Sequence, residues 1–210
     1  MAYIYIGDIL YFEDKKLYES KLNSLSKERR NKALLHKNEN DRLLSVMAGV
    51  LLEKAMQDFD VHYPLIRDGL GYMHSAGKDK LFFSISHSKN LAVCVVSKFN
   101  IGIDIEDIHR FEKKKYLDIN SGFSKRVLSE EEKIFLEQNC NSTTISNIWT
   151  RKESYSKILG KGIAMDLRTI NTLNDSQFYS YETTDSNGGK YTISIAGDDI
   201  TVNRIINFYF

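Results

Sequence analysis

Residues 81–108, LFFSISHSKNLAVCVVSKFNIGIDIEDI, decide the fold. They contain three β-like runs, 81–86, 91–97 and 101–108, and the residues HSKN between the first two suit a hairpin turn. Side chains alternate along a strand, so Asp104 and Glu106 share one face of the third run while Ile103 and Ile105 point the other way. The two carboxylates stand about 7 Å apart along the strand. They repel unless a cation sits between them. A hard divalent ion such as Mg²⁺ meets that need, using one or two carboxylates with phosphate oxygens and water. A strand with one wet face is the plainer reading, and this motif alone leaves both open. Cys94, inside LAVCVV, reads as a small core residue.

Working outward, residues 2–6 alternate as a strand does. Residues 26–37 are basic and helical in character. Leu43, Leu44, Met47, Val50, Leu51 and Ala55 recur at helical spacing, with Asn40 or Asp41 as N-cap. The stretch 60–80 holds Pro64, Gly69, Gly71 and Gly77 and reads as a loop. Residues 109–128 read as basic and irregular. Ser129 and Glu132 form a capping box before a short helix. A polar loop over 139–146 leads to IWTRKESYSKILG, where Trp149, Tyr155 and Leu159 can face a core and Gly160 is a natural stop. Strands are expected over 177–183, 190–196 after the turn SNGG, and 200–208. Helices followed by antiparallel strands imply an α+β fold. No internal sequence repeat is evident, yet the order of elements suits two similar halves, each a small antiparallel sheet packed with helices, over 1–100 and 101–210.

A chain of 210 residues makes one domain or two small ones. The net charge of +1 argues against a surface devoted to nucleic acid. The charge is uneven: residues 21–42 hold seven basic and three acidic side chains, and residues 110–126 hold six and two. Such patches suit an anionic ligand or an acidic partner, although a solvated face is commoner. Cys94 and Cys140 form no Cys/His ligand set, so structural zinc is not expected. The longest apolar run, 43–52, falls well short of the ~20 residues a bilayer span needs. The opening MAYIYIGDIL lacks the basic segment of a secretion signal. The expected compartment is therefore the cytoplasm, with no membrane partner.

Glu153 and Lys157 lie at i, i+4 on one helix face. They can form a surface ion pair, worth about 0.3–0.5 kcal/mol, or serve a metal and a phosphate respectively. Ser86 and His87 end a strand, where a hydroxyl and an imidazole can bind phosphate or merely make a turn. The basic helix carries Arg29, Arg30, Lys32, Lys37 and Arg42. Each feature is weak alone. Together they make one inventory: three carboxylates for Mg²⁺, a phosphate-directed lysine, a histidine and a basic helix, as a charged pyrophosphate ligand would require.

The order FSISHS, GIDIE, FSKRVLSEEE and WTRKESYSKxxGKG, with HKNENDR at 36–42, resembles the 4'-phosphopantetheinyl transferases of the surfactin-synthetase-activating type. The matching motifs run from about residue 26 to 163. The resemblance implies an α+β pseudo-dimer with coenzyme A between its halves, moving the phosphopantetheine arm onto a serine of an apo acyl or peptidyl carrier protein and releasing adenosine 3',5'-bisphosphate. By position it implies Asp104, Glu106 and Glu153 as Mg²⁺ ligands, and Lys157 and His87 as pyrophosphate contacts. It further implies Arg42 with Ser86, and Arg29, as support for coenzyme A phosphates. One departure stands out: relatives carry Gly-Lys-Pro where this chain reads Gly71-Tyr72-Met73, leaving Lys78 or Lys80 as substitutes.

On this reading Lys157, Asp104 and Glu153 carry the chemistry, with Glu153 as proton acceptor for the attacking serine. A Mg²⁺-dependent phosphohydrolase and a non-catalytic module that binds coenzyme A or a carrier are the competing classes. An acidic carrier is expected to dock on residues 110–126 through Arg110, Lys113, Lys114, Lys115, Lys125 and Arg126, with Phe111, Tyr116, Leu117 and Phe123 as anchors. A monomer is expected.

Overall fold

The computed structural model describes residues 1–62, 65–67, 73–76, 80–160, 165–173, 175–198 and 200–208. The alternating N-terminal run forms β1 (Ala2–Asp8), followed by a 3₁₀ turn over Ile9–Glu13 and by α1 (Lys15–Ser24). The basic stretch is α2 (Lys27–Leu34), capped by Ser26. In α3 (Glu39–Asp58) the N-cap is Asn38, whose side chain accepts from the Asp41 N–H at 3.2 Å, in place of the expected Asn40 or Asp41. The polar first turn hides that earlier start from an apolar count. Inside 60–80, expected as loop, lie β2 (Ile66–Arg67) and β3 (Met73–His74), too short for alternation to register.

The expected hairpin is β4 (Phe82–Ser88) and β5 (Leu91–Ser97), and β6 (Ile101–Asp107) follows. The stretch expected to be irregular is a 3₁₀ turn over Ile108–Glu112, then α4 (Lys114–Leu117) and α5 (Gly122–Val127). In α6 (Glu130–Asn139) both arms of the capping box are present. The loop expected at 139–146 ends early, because Asn141 caps α7 (Ser142–Ile158) and its polar first turn stays outside the core. Gly160 follows with φ 63°, as its C-terminal position requires. The chain closes with β7 (Phe178–Thr184), β8 (Lys190–Gly197) and β9 (Val202–Phe208).

Two sheets result, ordered β2-β3-β4-β5-β1-β9 and β6-β8-β7, so the fold is α+β with helices on small sheets. The last strand leaves its sequence neighbours and pairs with β1 in parallel, a partner choice that alternation does not encode. Apolar residues of the two sheets meet face to face: Ile4, Ile6, Val93 and Val95 against Ile103, Ile105, Ile193 and Ile195. Each such buried side chain contributes roughly 2 kcal/mol. The outer face of the first sheet packs under α3 through Tyr5, Met47, Leu51 and Cys94. The outer face of the second packs with Leu136, Ile145 and Ile148. Among the described residues no helix is long and apolar enough to cross a membrane.

The structure uncovers a repeat that the bare sequence hides. Residues 2–13 and 101–112 form the same strand followed by the same 3₁₀ turn, and six of their twelve positions are identical. The identities are structural. Ile4/Ile103 and Ile6/Ile105 fill the space between the sheets, and Phe12/Phe111 are buried. Asp8 and Asp107 each cap the turn by accepting an N–H two residues on. Further along, Ser26 and Asn38 cap α2 and α3 as Ser129 and Asn141 cap α6 and α7.

Candidate functional site

The site forms where β6, an edge strand of the second sheet, runs past β4 of the first. The serines of FSISHS alternate, so one face of β4 presents a ladder of hydroxyls. Ser84 Oγ accepts the Ile103 N–H at 3.2 Å and Ser88 Oγ accepts the Asp107 N–H at 3.1 Å, satisfying β6 backbone that lacks a strand partner. Ser86 Oγ donates to Asp104 Oδ1 at 2.7 Å, and Ser88 Oγ donates to Glu106 Oε2 at 3.0 Å. Sequence reasoning singled out Ser86 and missed Ser84 and Ser88, although their period of two was visible.

Lys157 reaches the same strand from α7. Its Nζ donates to the Ile103 carbonyl at 2.6 Å and to Asp104 Oδ1 at 2.9 Å. The lysine thus engages Asp104, not the Glu153 one turn away. Gly102 permits this approach, since a Cβ there would lie 2.0 Å from the Ser154 carbonyl oxygen. Glu153 Oε1 and Asp104 Oδ2 are both buried, with no hydrogen-bond partner among the described residues. Burial first and the Asp104 charge second push the Glu153 carboxyl up to about 7, with Lys157 opposing. Burial and Asp104 also raise Glu106, against the pull of Arg110. Glu106 is paired with Arg110 and accepts the Trp149 indole N–H at 3.2 Å. Neither contact was foreseen. As placed, no group of three or more His, Cys, Asp or Glu side chains among the described residues is arranged to hold a metal ion.

His87 lies on the opposite face of β4 from the serines. Desolvation, then the Lys157 charge, lowers its pKa, while Asp41 opposes. Arg29 packs between α2 and α3, donating to the Ser45 carbonyl at 3.4 Å and abutting Gly49. Arg42 lines a cavity of about 430 Å³ with Ile9, Phe12, Tyr18 and Leu43, and its Nε is buried without a partner among the described residues.

Lys152, unassigned from sequence, is fully buried in an ion pair with Glu132 at 2.8 Å and donates to the Leu167 carbonyl. It ties α6 to α7 and is structural. In the 110–126 segment, Phe111 and Tyr116 are core residues at 0% and 8% exposure, so they cannot anchor a partner as expected. Gly71, Tyr72, Lys78, Lys161 and Gly162 lie outside the described residues, and Lys80 is exposed.

Residues 100–201 match the sequence profile of the 4'-phosphopantetheinyl transferase superfamily. The chain is 27% identical over 165 residues to 4'-phosphopantetheinyl transferase gsp of Aneurinibacillus migulanus, a match that covers 75% of this chain and 65% of that protein. It is 36% identical over 99 residues to a holo-[acyl-carrier-protein] synthase of Streptococcus equi subsp. zooepidemicus, covering 45% of this chain and 82% of the relative. A holo-[acyl-carrier-protein] synthase of Caldicellulosiruptor saccharolyticus is 35% identical over 79 residues, covering 37% of this chain and 62% of the relative. The shared profile includes the strand of Asp104 and Glu106 and the helix of Glu153 and Lys157, and on these matches the chain belongs to the 4'-phosphopantetheinyl transferase superfamily, a family of transferase enzymes.

Proposed function

We propose that this chain transfers the 4'-phosphopantetheine group of coenzyme A to a serine of an apo carrier protein, with Mg²⁺ as cofactor. One observation carries the reading. Two buried carboxylate oxygens, Asp104 Oδ2 and Glu153 Oε1, lack partners among the described residues, near the Lys157 ammonium. Buried carboxylates without partners are costly, and a hard divalent cation is the chemistry that uses such oxygens. Asp104 and Glu153 would hold Mg²⁺, with Glu106 as third ligand. The ion would supply neutralisation of charge on the reacting pyrophosphate.

The residues of the chain account for the remainder. Lys157 faces the developing negative charge and Ser86 fixes the Asp104 carboxylate that it shares with that lysine. His87, whose proton affinity is lowered by desolvation and then by the Lys157 charge, offers a hydrogen bond to phosphate. The attacking serine forms an O–P bond as the pyrophosphate P–O bond breaks, and adenosine 3',5'-bisphosphate leaves. The serine proton passes to Glu153, the carboxylate beside Lys157 that the resemblance places at the reacting centre. Arg29 and Arg42 remain assigned to coenzyme A phosphates on the resemblance alone.

The matched strand–turn segments support a pseudo-dimer divided near residue 100, with coenzyme A between its halves. The carrier would dock on Lys113, Lys114, Lys115, Lys125 and Arg126, all exposed, with half-buried Leu117 and Phe123 beside them. We read the protein as a cytoplasmic monomer. Incubating it with coenzyme A, Mg²⁺ and several apo-carriers, then weighing the carriers, tests the reading. A carrier heavier by one phosphopantetheine supports it. Cleavage of coenzyme A without a carrier would mean a phosphohydrolase, and binding without transfer a non-catalytic module.

A further inference from the structure

We propose that Arg110 and Trp149 are positioning residues for Glu106, and that Arg110 is a resident cation which a divalent metal must displace to reach Oε1 of that carboxylate. The inference rests on the metal reading above. The three acidic side chains of the site are not equivalent. Asp104 and Glu153 each present a buried oxygen without a partner, whereas Glu106 receives Ser88 Oγ, the Trp149 indole and the Arg110 guanidinium.

Arg110 and Trp149 both engage Oε1, which leaves that oxygen saturated. The guanidinium also lies 5.5 Å from the Phe111 ring centroid and 5.8 Å from that of Trp149, so cation–π contacts hold it over the carboxylate. A metal at Asp104 and Glu153 meets a Glu106 already neutralised by the chain. It recruits Oε1 of that third ligand only by taking the place of Arg110, while Oε2 accepts from Ser88 Oγ, and its affinity through Oε1 is the difference between the two cations. Arg110 can leave without backbone motion, because its side chain is 42% exposed against 13% for Glu106.

Trp149 is the sole tryptophan of the chain, so its fluorescence reports on Glu106 directly. Mg²⁺ is titrated into the wild-type protein, Arg110→Gln, Arg110→Lys and Glu106→Gln, following tryptophan emission and, in parallel, heat by calorimetry. Mg²⁺ should change the emission of the wild type and bind Arg110→Gln about fivefold more tightly. Arg110→Lys, which keeps the charge, should retain wild-type affinity, and Glu106→Gln should lose the emission change. Should Arg110→Gln fail to fold, Arg110→Met keeps the stem against Phe111 and serves the same comparison. Equal or weaker Mg²⁺ binding once the charge is removed would overturn the inference while leaving the metal reading intact. No Mg²⁺ heat in any of the proteins would sink the metal reading, and this inference with it.

Discussion

Tyr5 and Asp104 occupy the same step of the same strand in the two strand–turn units, and what surrounds them differs in kind. In the second unit Asp104 receives Lys157 from α7. In the first, Tyr5 donates its hydroxyl to Asp58 of α3 at 3.0 Å, and Lys54 pairs with that same Asp58. Counting from the Asn caps, Lys54 and Lys157 are matching helix positions, as are Val50 and Glu153, and Val46 and Trp149. Glu106 likewise corresponds to Gly7. One scaffold thus holds an acidic, partly unsatisfied site in one copy, and in the other a layer filled by Val50 and Met47 whose one acid, Asp58, is paired with Lys54 and Tyr5. Charge was concentrated in one copy, while Ile, Asp and Phe positions that build the scaffold stayed alike.

Swapping chemistry breaks this comparison most sharply. Asp104→Asn should lower transfer at least about hundredfold, since it removes charge at the reacting centre, and should leave the melting temperature nearly unchanged. Tyr5→Phe should leave transfer alone and cost about 1 kcal/mol of stability, the worth of one hydrogen bond. Carrier mass spectrometry and urea melts measure the two. An Asp104→Asn protein that keeps a tenth of its activity would end the assignment of chemistry to the second unit.

The two helices meet the glycines of their strands in different ways. At Gly7 a Cβ would meet Met47 Sδ at 2.4 Å, while at Gly102 it would meet the Ser154 carbonyl oxygen at 2.0 Å. The first helix therefore closes over the position that in the second unit carries Glu106. A methionine side chain can swing away and a helix backbone cannot. Gly102→Ala should cost about 3 kcal/mol and Gly7→Ala about 1 kcal/mol, by the penalties of overpacking. Equal losses in chemical denaturation would show that the two crossings are alike after all.

The same contrast explains what the sequence disclosed. Alternation over 101–108 was enough to place Asp104 and Glu106 on one face, and the Ser129–Glu132 spacing was enough for the capping box, because both are local rules. The repeat stayed hidden because the identities are scattered: Tyr3, Tyr5 and Gly7 give way to Gly102, Asp104 and Glu106 in the second copy, and the two copies share no run longer than two residues. The pairing of β9 with β1, the burial of Phe111 and Tyr116, and the reach of Lys157 to Asp104 depend on tertiary neighbours that no local period records. Arg42 lines a cavity and Arg29 sits in the α2–α3 seam, placements that a basic run does not reveal, since a long arginine stem packs as readily as it projects.

The smallest expected effect concerns Glu153, whose counterpart Val50 carries no charge. Its folded pKa, about 7, lies above the ordinary 4.5, so the folded protein holds this proton more tightly than the unfolded chain does. The sign follows from linkage. The stability linked to that proton is fully present below pH 4.5 and is lost as pH rises through about 7. Glu153→Gln has no proton to lose, so its melting temperature should fall less than that of the wild type between pH 5 and pH 8. Because the carboxylate is only partly buried, the gap at pH 8 should be small, about 2 °C for a chain of this size. Saturating Mg²⁺ should narrow it by stabilising the ionised carboxylate of the wild type. Parallel pH profiles, or a variant that melts lower than the wild type at pH 8, would show that Glu153 is as comfortable in its setting as Val50 is in the matching one.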